Sequence, residues 1–172
     1  MTVKKTAAST PLWGEKPYRS LDYEWKKQYG EKIYKVSLNG GMTCPNRDGT
    51  VGKGGCIFCS AGGSGDFAGN SRDSITTQIK IQADRLREKR GAKKFIAYFQ
   101  NFTNTYAPIN ILKQKYNSAL IDERIVALAI STRPDCINEE ICKLIKSYSD
   151  KYYVWVELGL QSSNDNTASF IN

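Results

Sequence analysis

The sequence predicts an α/β fold built on a parallel sheet, and three observations predict it. Four short apolar runs, 32–38, 95–99, 125–130 and 152–158, alternate with segments whose apolar residues recur at helical spacing. A strand followed by a helix and then another strand reaches a parallel neighbour, because that connection must cross the sheet face. The residues able to do chemistry gather just after each apolar run, where parallel sheets place their functional loops. At 172 residues, 40% hydrophobic and 11% aromatic, the chain is large enough for one domain with a substantial core.

Taken in order, residues 1–30 form an N-terminal arm with Trp13, Tyr18, Tyr23 and Trp25, to which no element is assigned, and 31–172 form the domain. Lys32 to Leu38 alternates as a strand, with Ile33, Val36 and Leu38 apolar, and runs into a Gly-rich cysteine loop. Ile75, Ile79, Ala83 and Leu86 then mark a helix, with Asp73 or Ser71 as N-cap and Gly91 as C-cap. Phe95 to Phe99 is the second strand, and Pro108 starts a helix with Ile109, Leu112, Tyr116 and Leu120 on one side. Ile125 to Ile130 is the third strand. Asn138 caps a helix with Ile141, Leu144, Ile145 and Tyr148 inward, Tyr152 to Leu158 is the fourth strand, and a fourth helix starts from Ser163.

Composition excludes several classes of chemistry. The chain has no histidine, so Ser-His and Cys-His catalysis and every His-containing zinc site are ruled out. The segment from Met1 to Gly14 has Lys4 and Lys5 but no apolar signal core, and no stretch is long enough to span a bilayer, so a cytoplasmic protein with no membrane association is expected. Five cysteines in such a chain argue for reduced thiols, not a disulfide scaffold. The net charge of +8, concentrated between Lys16 and Lys35 and again between Lys80 and Lys94, suits a polyanionic partner such as RNA; the plainer reading is solvated surface.

Cys44, Cys56 and Cys59 follow the first strand with eleven and then two intervening residues, three thiolates available to one metal centre. Three soft ligands suit zinc, with Cys136 or Cys142 as a fourth, or an iron-sulfur cluster with one iron free of protein. The other strand ends carry 100–105 (QNFTNT), 131–135 (STRPD) and a polar loop around Gln161. Glu157, set among apolar residues of the fourth strand, needs a partner such as Arg133. Gly63 to Ala68 fits G-x-G-x-x-A but does not open from a strand directly into a helix, so a dinucleotide site is not predicted.

Taken together, Cys44 to Thr50 (CPNRDGT), Gly54 to Ser60 (GGCIFCS), Gly63 to Gly69 (GSGDFAG), Phe99 to Thr105, Ser131 to Asp135 and Glu157 to Ser162 (ELGLQS) resemble the N-terminal portion of a radical SAM core, specifically its YtqA/YhcC-like branch, itself similar to the catalytic subunit of Elongator. The generic motif of that superfamily has three residues in the first gap; the longer gap is the form found in this branch. The resemblance implies a parallel-stranded partial TIM-type barrel, of which this chain carries about four of six βα units and is truncated at the C-terminal side.

It also implies a 4Fe-4S cluster on Cys44, Cys56 and Cys59, with S-adenosylmethionine (SAM) chelating the open iron and yielding a 5′-deoxyadenosyl radical. Gln100, Asn101, Thr103 and Asn104 match the loop that contacts the methionine amino group, and Ser131 and Arg133 the motif that holds the carboxylate. By the same resemblance, Glu157 would accept from the SAM ammonium or ribose, and Gln161 would bond the ribose hydroxyls. The glycines near Ser64 would let backbone approach the cluster, whose sulfurs need N–H donors. The expected partners are an electron donor and tRNA or another nucleic acid as the substrate to be modified. A non-catalytic zinc- or iron-sulfur-binding module with an RNA-contacting surface is the alternative.

Overall fold

In a computed structural model, residues 13–171 are described; residues 1–12 of the arm, including Lys4 and Lys5, and Asn172 lie outside them. The chain divides into two compact units, Met1–Ile33 and Tyr34–Asn172. The first contains a helix not assigned from the sequence, α1 (Leu21–Tyr29). Ser20 caps its start by accepting from the Tyr23 N–H at 3.2 Å, and Gly30, at φ 74°, ends it by donating to Lys26 O. Asp22 and Lys26 pair one turn apart at 3.0 Å, and Trp25 is buried. Aromatic residues dispersed among charges hide this helix from an apolar-periodicity reading, but its caps were visible.

The second unit is the predicted α/β arrangement. Strands β1 (Tyr34–Leu38), β2 (Phe95–Phe99), β3 (Ile125–Thr132) and β4 (Tyr153–Leu158) form one sheet in that order, all parallel. Between them run α2 (Pro45–Asp48) and α3 (Ile75–Arg90), then α4 (Ile109–Ala119), then α5 (Glu139–Lys146), and α6 (Asp165–Ile171) follows β4. A 3-10 turn, Pro134–Cys136, leaves β3.

Register explains the core. Val36, Ala97, Leu128 and Val154 lie in one row across the sheet, and Leu38, Phe99, Ile130 and Val156 in another. Both rows face the helices and pack with Ile79, Leu112, Tyr116 and Ile141. The alternate rows, Ser37–Tyr98–Ala129–Trp155 and the pair Ser131–Glu157, belong to the other face. Polar side chains on that face can therefore approach the strand ends without breaching the core. As the last strand of the order, β4 has half-exposed Tyr153 and Leu158.

Two helix starts show why boundaries are local matters. The α3 cap is Ser74, not Asp73 or Ser71: its hydroxyl accepts from the Thr77 N–H at 3.0 Å. The Asp73 carbonyl instead accepts from Gln78 Nε2. Pro108 occupies the cap of α4 without a side-chain bond, as its fixed φ allows. Asn138 caps α5 and Gly91 closes α3, as the sequence indicates.

Leu112 on α4 is fully buried against the sheet. Leu112→Ala is expected to cost about 3 kcal/mol by removing buried methyl groups and leaving a cavity. Urea titration should show a lower midpoint at unchanged slope.

Candidate functional site

The loops after the four strands converge on a cavity of about 610 Å3, within the size range of small-molecule sites. Cys44, Cys56 and Cys59 line it, together with Gln100, Thr103, Ser131, Arg133, Glu157 and Gln161. Asn101 and Asn104, the other residues singled out from the sequence, lie behind its wall, 3% and 0% exposed. All five cysteines are free. Cys136 lines a second cavity beside Pro45 and Tyr106, and Cys142 is exposed on α5.

The first loop is built from its own backbone. Cys44 occupies the cap of α2, where its carbonyl accepts from Arg47 and Asp48 N–H. Pro45 supplies the helical φ and Gly49, at φ 94°, stops the helix after one turn. The chain returns through Gly55 N–H to Asn46 O, and Cys59 N–H bonds Cys56 O at 3.0 Å. Two thiols meet polar side chains: Asn46 Nδ2 donates to Cys56 Sγ at 3.1 Å, and Ser64 Oγ lies 3.2 Å from Cys59 Sγ. Among the described residues no three His, Cys, Asp or Glu side chains gather as they do around a single ion. Three thiols on one cavity nevertheless match the donor set of a cluster, whose cysteines sit on separate irons and stand further apart than the ligands of one ion.

The loop after β2 holds that first loop in shape. Asn101 Nδ2 donates to Gly62 O and Gly65 O, Gln100 Nε2 to Ser64 O, and Phe102 N–H to Gly63 O. A Cβ on Gly65 would overlap the Asn101 amide, so only glycine permits this approach. Asn104 Nδ2 reaches Phe99 O and Ser131 O, and its carbonyl accepts from the buried Tyr116 hydroxyl at 2.6 Å. Among the described residues, the non-glycine positions at positive φ are Ser64, Phe102 and Gln161, at 62°, 61° and 66°. All three line the cavity. Each conformation costs about 1 kcal/mol or more and survives only where neighbours enforce it.

The ends of β3 and β4 supply the charges. Arg133 does not pair with Glu157, as the sequence reading expected; its Nε and Nη2 bond Asp135 at 2.9 and 2.7 Å, because the turn Pro134–Cys136 brings that carboxylate alongside. Glu157 instead accepts from Lys35 Nζ at 2.8 Å, Tyr98 OH at 2.7 Å, Trp155 Nε1 at 3.0 Å and Ser131 Oγ at 3.1 Å. Lys35 also lies 3.9 Å from the Tyr98 ring centre, so the cation is held by an aromatic face as well as by the carboxylate. Burial opposes ionisation of Glu157, but the bonds from Lys35, Trp155 and Tyr98 outweigh it and bring the acid down to about 2. Burial and the adjacent Asp135 push the Cys136 thiol up to about 11.

Lys35, Tyr98, Trp155, Asn46 and Ser64 were not singled out from the sequence as site residues. Strand alternation places Lys35, Tyr98 and Trp155 on one parity with Glu157 once the register is known, so the signal existed but needed the pairing. Asn46 and Ser64 sit inside the quoted loop segments, yet nothing in their spacing shows that they reach sulfur.

The Glu157 network gives a pH prediction with a definite sign. A folded value of about 2 against an ordinary 4.5 means its stabilisation is complete above pH 4.5 and is lost as pH falls toward 2. Lys35→Met should lower the urea midpoint at neutral pH, and its deficit relative to the parent should shrink across that acid window.

Comparison with known proteins agrees with the geometry. The model of the Radical SAM superfamily matches residues 44–172. The chain is 48% identical over 158 residues to the uncharacterised protein YtqA of Bacillus subtilis (strain 168), covering 92% of this chain and 49% of that protein. It is 43% identical over 147 residues to the protein YhcC of Escherichia coli (strain K12), covering 85% of this chain and 46% of that protein. It thus spans about half the length of the curated relatives it matches. The family model takes in all three cysteines and every strand after β1, and four parallel strands alternating with helices are consistent with part of a radical SAM barrel; the chain belongs to the radical SAM superfamily.

Proposed function

We propose that this chain holds a 4Fe-4S cluster on Cys44, Cys56 and Cys59 with SAM in the adjoining cavity, as the cofactor-binding part of a radical SAM enzyme. The observation that carries the reading is the sharing of one cavity at the strand ends by three free thiols and the polar groups of all four loops. When bound, the cluster supplies the electron that cleaves a carbon–sulfur bond of SAM to give a 5′-deoxyadenosyl radical; the protein binds, orients and shields.

Glu157 is ionised at neutral pH and accepts from the SAM ammonium or ribose hydroxyls, oriented by Lys35, Tyr98 and Trp155. Arg133 attracts the SAM carboxylate, with Asp135 holding Nε and Nη2 and fixing the guanidinium plane. Ser131, Thr103, Gln100 and Gln161 offer hydrogen bonds from the ends of β2, β3 and β4. Asn101 and Asn104 contribute through the backbone they organise, since their amides are turned toward loop carbonyls.

The substrate reading is a nucleic acid such as tRNA. It is supported by the outer side of α3 and the turn after it, where Lys80, Arg85, Arg87, Lys89, Arg90 and Lys93 are exposed. A separate electron donor is needed to reduce the cluster.

Anaerobic reconstitution with iron and sulfide tests the cofactor reading. A brown protein whose charge-transfer absorption changes on adding SAM is expected, and Cys44→Ala, Cys56→Ala or Cys59→Ala should each lose most of the iron. Arg133→Ala should retain the cluster and weaken SAM binding by about tenfold or more. Colourless protein with one tightly held zinc would replace this reading with a structural metal module. For the substrate, tRNA binding should weaken steeply with salt and weaken uniformly in an Arg85→Ala, Arg90→Ala double variant; no binding at low salt removes the nucleic-acid reading.

A further inference from the structure

We propose that Asn46 and Ser64 set the reduction potential of the cluster, Asn46 by donating a hydrogen bond to the Cys56 sulfur and Ser64 by donating one to the Cys59 sulfur. The inference rests on the cluster reading above and adds a role for two residues outside the ligand set.

Asn46 follows Cys44 by two residues on α2, is 1% exposed, and has its amide nitrogen 3.1 Å from Cys56 Sγ. Ser64 sits between Gly63 and Gly65 with its hydroxyl 3.2 Å from Cys59 Sγ. A deprotonated sulfur can only accept, so both side chains become donors once the cysteines are thiolates.

Backbone geometry makes Ser64 the more telling of the two. Its φ of 62° is a conformation that glycine adopts freely and serine resists. The strain is enforced by the loop after β2, through Gln100 on Ser64 O, Asn101 on Gly62 O and Gly65 O, and Phe102 N–H on Gly63 O. A position so held gains one thing from serine that glycine lacks, a hydroxyl aimed at Cys59.

Reduction adds one electron, drawn in the test from dithionite, to the thiolate-ligated group, and forms or breaks no covalent bond in the protein. Negative charge on sulfur rises, so donors to Cys56 and Cys59 favour the reduced state and raise the potential. Removing one donor should shift the one-electron equilibrium toward the oxidised state by up to about tenfold, equivalent to about 59 mV.

The experiment is an EPR-monitored redox titration of the reconstituted full chain and of Ser64→Gly, Ser64→Ala and Asn46→Leu. The signal reports the potential of cluster-bearing molecules, so partial occupancy does not distort it. Ser64→Gly and Ser64→Ala should show the same lowered potential, because both lose the hydroxyl, while differing in urea midpoint, with glycine the more stable. Asn46→Leu should lower the potential independently. Wild-type potentials in the Ser64 variants would overturn the proposal for Ser64, and a wild-type potential in Asn46→Leu would overturn it for Asn46. Failure of the parent chain to take up iron and sulfide would overturn the cluster reading itself, and this inference with it.

Discussion

Parallel pairing puts the C-terminal ends of all four strands on one rim, and the convergence of the site's loops depends on that constraint. With Leu38, Phe99, Ile130 and Val156 aligned in one row, the residues that follow them leave the sheet close together. The same pairing separates the two faces: aliphatic rows meet the helices, while the other parity carries Tyr98, Ser131, Trp155 and Glu157. A slip of one residue in β4 would move Glu157 to the helix side and place Val156 beside Ser131. The burial of the aliphatic rows therefore specifies where the site's carboxylate stands.

Between the core and the cysteine loop lies a continuous set of hydrogen bonds. Tyr116 on α4, fully buried and edge-on to Phe99 at 5.2 Å between ring centres, fixes the Asn104 carbonyl. Asn104 ties the loop after β2 to Ser131 O, and Thr105 bonds Thr132 Oγ1 and Cys136 O. Asn101, three residues before Asn104, then grips both carbonyls flanking the Gly63–Ser64 turn. Rigid packing at one end and strained backbone at the other are thus linked through a loop that is largely buried despite its polar composition. The Asn101 and Asn104 amide nitrogens find backbone partners, while their Oδ1 atoms are buried without a hydrogen-bond partner among the described residues.

Secondary structure was legible because its signals are local. The four strands and the helices after the first three rest on alternation, helical spacing and Asn138 or Gly91 at their ends, and these emerge within a residue or two. The cysteine loop was legible from residue type and spacing alone. Side-chain partnership was not: Arg133 was matched with Glu157 by charge, whereas a 3-10 turn delivers Asp135 to Arg133 and the strand register delivers Lys35 to Glu157. Charge complementarity is shared by many residues, and only the geometry of a turn or a register selects among them. For the same reason Asn101 and Asn104 read as cavity residues, although their short amides are directed at loop carbonyls.

The two charged pairs at the rim divide their work according to how each is held. Arg133 and Asp135 sit two residues apart, so their pairing is set locally and is independent of the sheet. Lys35 and Glu157 lie on the first and last strands of the sheet, so their contact spans its width above Tyr98. With side chains about a third exposed, the latter pair is screened and contributes modestly to stability. Its stronger consequence is electrostatic: because Tyr98 and Trp155 also donate to the carboxylate, Glu157 stays anionic over the whole neutral range and its acceptor oxygens have fixed directions. A cationic ligand entering the cavity meets a carboxylate already ionised and oriented, so little reorganisation is needed on binding.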